Sequence, residues 1–301
     1  MPKMEPVHEE GSLGSALPAC YESASVSVGK PSASRIRHLV FPREHGAWGM
    51  LLIPMLTGGI LGFRSGHDFW SLALLVVAGF SLFCLRTPFE ALIAVSPYRA
   101  RNSAERRSAI LAVSGYLAVA LIAMATLMTR VSPGPLLILG NAAAIGFGGQ
   151  LILRRFRPTD RCLAQLVGSA GLTATAAAAY FVAAGQWSAI ALLVWAANWL
   201  FAANQIHYVQ LRIHAANCAG RLEKLHKGLH FAFGEVVLMA VLVAAGTVGA
   251  LPWVACLAYV PLLVRGIAWF AEKPAPLAIR RLGFTELAHA ITFGVLLVLV
   301  F

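Results

Sequence analysis

The feature that most constrains this chain is a series of long apolar runs spaced by short polar segments. Runs fall at about 46–63, 68–86, 108–129, 134–153, 162–184, 187–207, 229–250, 251–271 and 285–301. Each is close to the roughly 17–25 residues that an α-helix needs to cross a bilayer. Backbone polar groups have no water to bond in hydrocarbon, so such runs fold as helices. The expected fold is therefore all-α, a polytopic membrane protein of about nine helices. Only 12% of residues are charged, against roughly 25% in a soluble domain, and the mean hydropathy is +0.73.

The net charge is +11. In a soluble chain that value would suggest nucleic acid. Here the cations sit between apolar runs, which excludes that reading and points to membrane lipid as the partner. Of the 24 Lys and Arg, all but Arg64 and Arg130 fall in the tail or in alternate connecting stretches, at 86–107, 154–161, 208–228 and 265–281. The positive-inside rule then puts the N-terminus in the cytoplasm and the C-terminus outside. Residues 1–38 are rich in Ser, Ala and Gly and read as a disordered cytoplasmic tail. Residues 39–301 form the helical domain. Met4 and Met50 are the only other early methionines, which leaves the start of the tail open.

Connections repeat in length: short, long, short, medium, then the same again. This predicts two parallel four-helix units and a last helix. The small-residue run Ala174 to Ala179 permits close helix packing, within one chain or between two. Five scattered cysteines without a C-x-x-C pair read as apolar filler.

Polar residues that interrupt this pattern are the candidates for function. Arg43, Glu44 and His45 open the first span, beside Trp48. They mark either the water interface, with Trp48 as its anchor, or a site, because ionisable groups beside hydrocarbon are costly. Glu90 follows the second span; its spacing from Thr87 also fits a capping box. Asn204, His207, Leu211 and His214 share one helical stripe. Glu235 lies inside the seventh span, and Glu286 and His289 open the last, at a spacing that allows a mutual hydrogen bond. All of these map to the cytoplasmic end, so a polar cavity open to that side is expected. Arg99 and Arg212 stand in the two long loops as candidate anion binders. Glu223, His226 and His230 have metal-ligand spacing, though Glu223 and Lys227 equally form an i, i+4 ion pair. Helix centres carry little polarity beyond Asn141, Gln150 and Asn198.

The run Pro42-Arg43-Glu44-His45-Gly46-Ala47-Trp48 resembles the signature of the YwiC-like family of bacterial integral membrane proteins. The stretches Asn204 to Arg212 and Leu282 to His289 are also similar to that family, so the likeness spans roughly residues 40–301. It implies a fold and no particular reaction. The layout, with long cytoplasmic loops after the second and sixth helices, is similar to the UbiA-type intramembrane prenyltransferases. In those enzymes the two loops carry aspartate-rich motifs that bind a prenyl diphosphate through magnesium. This chain holds Thr87-Pro88-Phe89-Glu90 and His207 to Arg212 there, and its only aspartates are Asp68 and Asp160. Magnesium thus lacks its usual ligands.

The expected function is binding, and at most transfer, of an isoprenoid or other lipid with an anionic head. Arg43, Glu44, Trp48, Arg99, Asn204, Arg212, Glu286 and His289 would hold the ligand. His45, Glu90 and His207 would be the candidates for acid–base or metal roles. A small-solute transporter and a non-catalytic assembly factor are the rival classes. The oligomeric state is open.

Overall fold

The computed structural model describes residues 33–41, 45–66, 68–93, 99–157, 161–216, 218, 220–273 and 277–301. Arg43 and Glu44 lie outside the described residues, as does the side chain of His45. Among the described residues the secondary structure is entirely helical. Helices α1 (Ala33–Val40), α2 (His45–Phe63), α3 (Phe69–Leu92), α4 (Ser103–Met128) and α5 (Pro133–Phe156) come first. α6 (Arg161–Thr173) and α7 (Thr175–Ala184) form one span with a break at Ala174. Then follow α8 (Ala189–His214), α9 (Arg221–Thr247), the short α10 (Trp253–Cys256) running through a 3-10 turn into α11 (Val260–Ala271), and α12 (Ile279–Val300). Eight of these segments are long and apolar enough to cross a membrane, and the apolar part of α2, Trp48–Phe63, is a shorter ninth. The chain is a polytopic membrane protein.

Helix ends differ from the hydropathy reading in one direction. α3, α8, α9 and α12 each extend one or two turns beyond the apolar run at the end where the cations gather. That basic end therefore has helical walls standing beyond the apolar layer. α3 continues through Pro88 to Leu92, so Thr87 caps nothing and the capping-box reading of Glu90 is wrong. α1 begins inside the stretch expected as tail, and its Leu39 is buried.

Local chemistry sets several starts. Asp68 caps α3 by accepting from the Ser71 amide at 3.0 Å. Asn102 caps α4 by accepting from the Glu105 amide at 2.7 Å, and Glu105 accepts in return from the Arg101 amide at 2.8 Å. Lys224, in the first turn of α9, is buried against α11. Its ammonium donates to the carbonyls of Trp269 and Glu272 and lies 4.5 Å from the Trp269 ring centroid. A cation there complements the negative end of α11.

The span formed by α6 and α7 is the centre of the bundle: 72% of its apolar window is buried, against 17% for α4. α2 lies directly along α7. Gly58, Gly62 and Gly66 come every fourth residue and meet the backbone of Ala176, Tyr180 and Ala184. A Cβ on Gly62 would stand 2.5 Å from the Tyr180 carbonyl oxygen, and one on Gly66 would stand 2.7 Å from that of Ala184. With no hydrophobic drive between helices in lipid, such close approach supplies the packing. The alanine-rich stretch thus packs within this chain. The seam also carries polarity: Asn198 on α8 donates to the Thr57 hydroxyl at 3.1 Å and to the Val194 carbonyl at 2.8 Å.

Candidate functional site

Three polar features occupy the basic end. The first is a cavity of about 340 Å³ between α2, α3, α5, α6, α8 and α12. Its polar wall is Arg86, Arg154, Gln150, Gln165, Gln205 and Glu286; Met50, Leu172, Ile206, Val209 and Leu282 supply apolar wall. Glu90 organises the cations from behind. This buried carboxylate accepts from Arg86 Nε, one turn earlier on α3, at 2.8 Å. It also accepts from Arg154 of α5 at 3.4 Å on each oxygen. Two guanidinium groups share one carboxylate, which leaves one positive charge uncompensated within that group. The carboxamides are held in place. Gln150 rests against Gly168, where a Cβ would collide with it. Gln210 donates to Gln165 at 2.8 Å, and Gln205 donates to the Glu286 carbonyl at 2.9 Å.

The second feature is a buried ionic cluster behind the Glu286 wall. Arg265 of α11 is paired with Glu286 of α12, and both are buried. Arg265 also donates to the Asn204 carbonyl oxygen at 2.8 Å, and its guanidinium lies 4.0 Å from the Tyr208 ring centroid. Asn204 in turn donates to Glu235 of α9 at 2.8 Å. Gly266 opens the space: a Cβ there would lie 2.9 Å from Glu235 Oε1. Three atoms of the cluster are buried without a partner, namely Glu235 Oε2, Arg265 Nε and Glu286 Oε1. Asn204, Glu235 and Glu286 sit roughly 18–22 Å from the far ends of α8, α9 and α12, at about 1.5 Å per residue, and Arg265 lies in the second turn of α11. A hydrocarbon core is about 30 Å thick, so a bilayer whose boundary lies at those far ends would enclose the cluster.

The third feature is a cleft of about 550 Å³ between α6, α8 and α9, walled by His207, His214, His226, His230, Lys227 and Cys162 among others. His207 is half-buried, and the other three imidazoles are exposed. His207 stacks edge-on to Phe231 at 5.4 Å and seats against Gly234, where a Cβ would lie 2.8 Å from its Nδ1. His214 Nδ1 bonds the Gln210 carbonyl at 2.7 Å. Lys227 pairs with Glu223 at 2.8 Å. Among the described residues no three His, Cys, Asp or Glu side chains group to hold a metal ion.

These features divide the sequence-predicted residues. Glu286 walls the first cavity, Glu90 stands behind it, and Asn204 belongs to the ionic cluster. His207 walls the other cleft. Arg99 is exposed in the segment before α4, and Arg212 is half-buried beside Tyr208; neither walls either of these two cavities. Trp48 packs on Phe80 and Phe83 of α3 at 4.9 and 4.7 Å, joining α2 to α3. His289 bonds the Thr285 carbonyl at 2.7 Å, and Glu286 takes Arg265 instead, so the expected Glu286–His289 bond is not made. Sequence reasoning misses Arg265, because it falls in a stretch that reads as a basic loop. Its signal is legible in Val264-Arg265-Gly266-Ile267, a lone cation flanked by apolar residues on both sides. Arg86 and Arg154 likewise read as loop cations, although each is helical and faces the cavity.

No curated protein and no solved structure matches the chain. The family match stops at residue 180, so α8 to α12, with the ionic cluster, lie beyond it. Residues 41–180 match the family model described as YwiC-like protein, and over that stretch the chain is similar to the YwiC-like family.

Proposed function

We propose that this integral membrane protein binds an amphiphile with an anionic head, such as an isoprenoid phosphate or an acidic lipid, in the cavity walled by Arg86 and Arg154. The observation that carries this reading is the sharing of Glu90 by both arginines, which gives the wall a surplus cation among three fixed carboxamides. Guanidinium groups suit phosphate bidentately. A volume of about 340 Å³ holds a head group, and the apolar tail would pass between helices into lipid. In this reading Glu90 positions the arginines and moves no proton. Prenyl transfer is the finer step that the layout suggests, without the aspartate-rich motifs that bind magnesium. The basic end faces the cytoplasm, as the positive-inside rule favours.

A proton-linked solute carrier is the second reading. The buried Arg265 and Glu286 and the half-buried Glu235 favour it, because ionisable groups inside the membrane mark ion pathways. Mass spectrometry of lipids retained by the purified protein tests the first reading. Wild-type protein should carry an anionic amphiphile that the double variant R86Q/R154Q loses. Retention of bulk phospholipid alone, unchanged in the variant, would overturn it. Flux of a solute into proteoliposomes would support the second.

A further inference from the structure

The histidine-walled cleft and the ionic cluster are both built on α8 and α9. His207 walls the cleft and seats against Gly234, the residue before Glu235. Glu235 is the end of the cluster nearest the cleft in sequence and the carboxylate without a direct cation partner: Asn204 holds Oε1, and Oε2 is buried and unpartnered. Arg265 is already paired with Glu286. With both carboxylates ionised, the cluster would carry a surplus negative charge inside hydrocarbon, where an uncompensated ion is costly. One proton on Glu235 removes that charge, and it turns Oε2 from a bare acceptor into a hydroxyl.

We propose that Glu235 is a proton-binding site within the membrane, loaded from the basic end through the histidine-walled cleft. The exposed imidazoles of His214, His226 and His230 line its water-facing side. His207, half-buried at the inner wall, passes a proton on. Its imidazolium gives up a ring proton, Glu235 gains an O–H, and the ring returns to neutral to be protonated again. The groups that act on Glu235 are Asn204 from α8 and Arg265 from α11, with Glu286 from α12 beyond Arg265; His207 from α8 and Lys227 and His230 earlier on α9 stand on the cleft. This site does not depend on the amphiphile reading: Glu286 is common to the cluster and the cavity wall, but Glu235 and the cleft histidines belong to neither that wall nor the Arg86–Glu90–Arg154 group.

Infrared difference spectra of the full chain in nanodiscs of zwitterionic lipid, taken between about pH 5 and about pH 9, test the site. Wild-type protein should show the carbonyl stretch of a protonated carboxylic acid that disappears on raising the pH. E235Q should lack that band. E235D keeps a carboxyl and should shift it, which assigns the band even if E235Q fails to fold. The double variant H207F/H230F should keep the band and slow its hydrogen–deuterium exchange on the order of tenfold or more. R154Q should change neither. A wild-type spectrum with no titrating acid, or a band that is unmoved in E235D, would overturn the proposal. Unchanged exchange in H207F/H230F would overturn the histidine route.

Discussion

Arg265 reaches Glu235 through one amide: Asn204 accepts from the arginine at 2.8 Å and donates to the carboxylate at 2.8 Å. Only an amide offers both roles at that spacing. Asn204→Asp reverses the second bond, placing an acceptor against an acceptor unless a proton is added. Asn204→Leu leaves both neighbours unsatisfied, at about 1–3 kcal/mol for each buried polar group left alone. Asn204→Leu should lower the thermal unfolding midpoint in detergent, and Asn204→Asp should be less destabilising at low pH than at high pH.

Arg265 and Glu286 are both buried. Removing one partner of such a pair strands the other charge, at roughly 3–5 kcal/mol, whereas replacing both by apolar residues is often neutral. R265M and E286L should each unfold earlier than wild type. The double variant R265M/E286L should recover much of the loss. Additive losses in that double-mutant cycle would mean the two side chains act separately.

Gly58 faces the backbone of Ala176 with no room for a methyl group, while a Cβ on Gly115 of α4 would meet nothing within 4 Å. G58A should cost about 1–3 kcal/mol or more through overpacking. G115A, in an exposed helix interior, should be neutral or gain up to about 1 kcal/mol from helix propensity. Thermal denaturation of the two variants side by side checks the contrast.

At the far end, Asp68 caps α3 and meets Arg130 at 3.3 Å. Burial pushes its carboxyl up, but the Ser71 hydroxyl and amide and the Arg130 charge outweigh that, so it titrates below the usual carboxylate range. A lowered folded value stabilises the ionised form. The contribution is therefore complete above the unfolded pKa of about 3.9 and disappears as pH falls through the folded value. D68N should lose this acid-side dependence of the unfolding midpoint, and D68A should cost about 1 kcal/mol at neutral pH as a lost cap.

The number and order of the helices were legible because hydrocarbon demands about twenty apolar residues per crossing, and that demand is written residue by residue. The basic clustering at one end was legible for a similar reason. Pairing was not. Arg86 and Arg154 are ordinary juxtamembrane cations in one dimension, and only folding brings both to Glu90. Glu90 itself offered a local explanation, its spacing from Thr87, which the continuous α3 overrides. The candidates from α8 and α12 were found but grouped too broadly. His207 and Glu286 share a membrane face, yet they wall different cavities with the Arg265 cluster behind Glu286.

The Glu90–Arg154 contact has a mechanical side. It ties α3 to α5, helices that touch little elsewhere apart from Phe89 beside Phe147 at 6.3 Å. The same guanidinium that walls the cavity is thus a latch across a seam. An anion that draws Arg154 away from Glu90 fills the cavity and, in the same movement, unfastens the seam beside it. On the proposed reading, filling the cavity and loosening the seam between α3 and α5 are then coupled through Arg154.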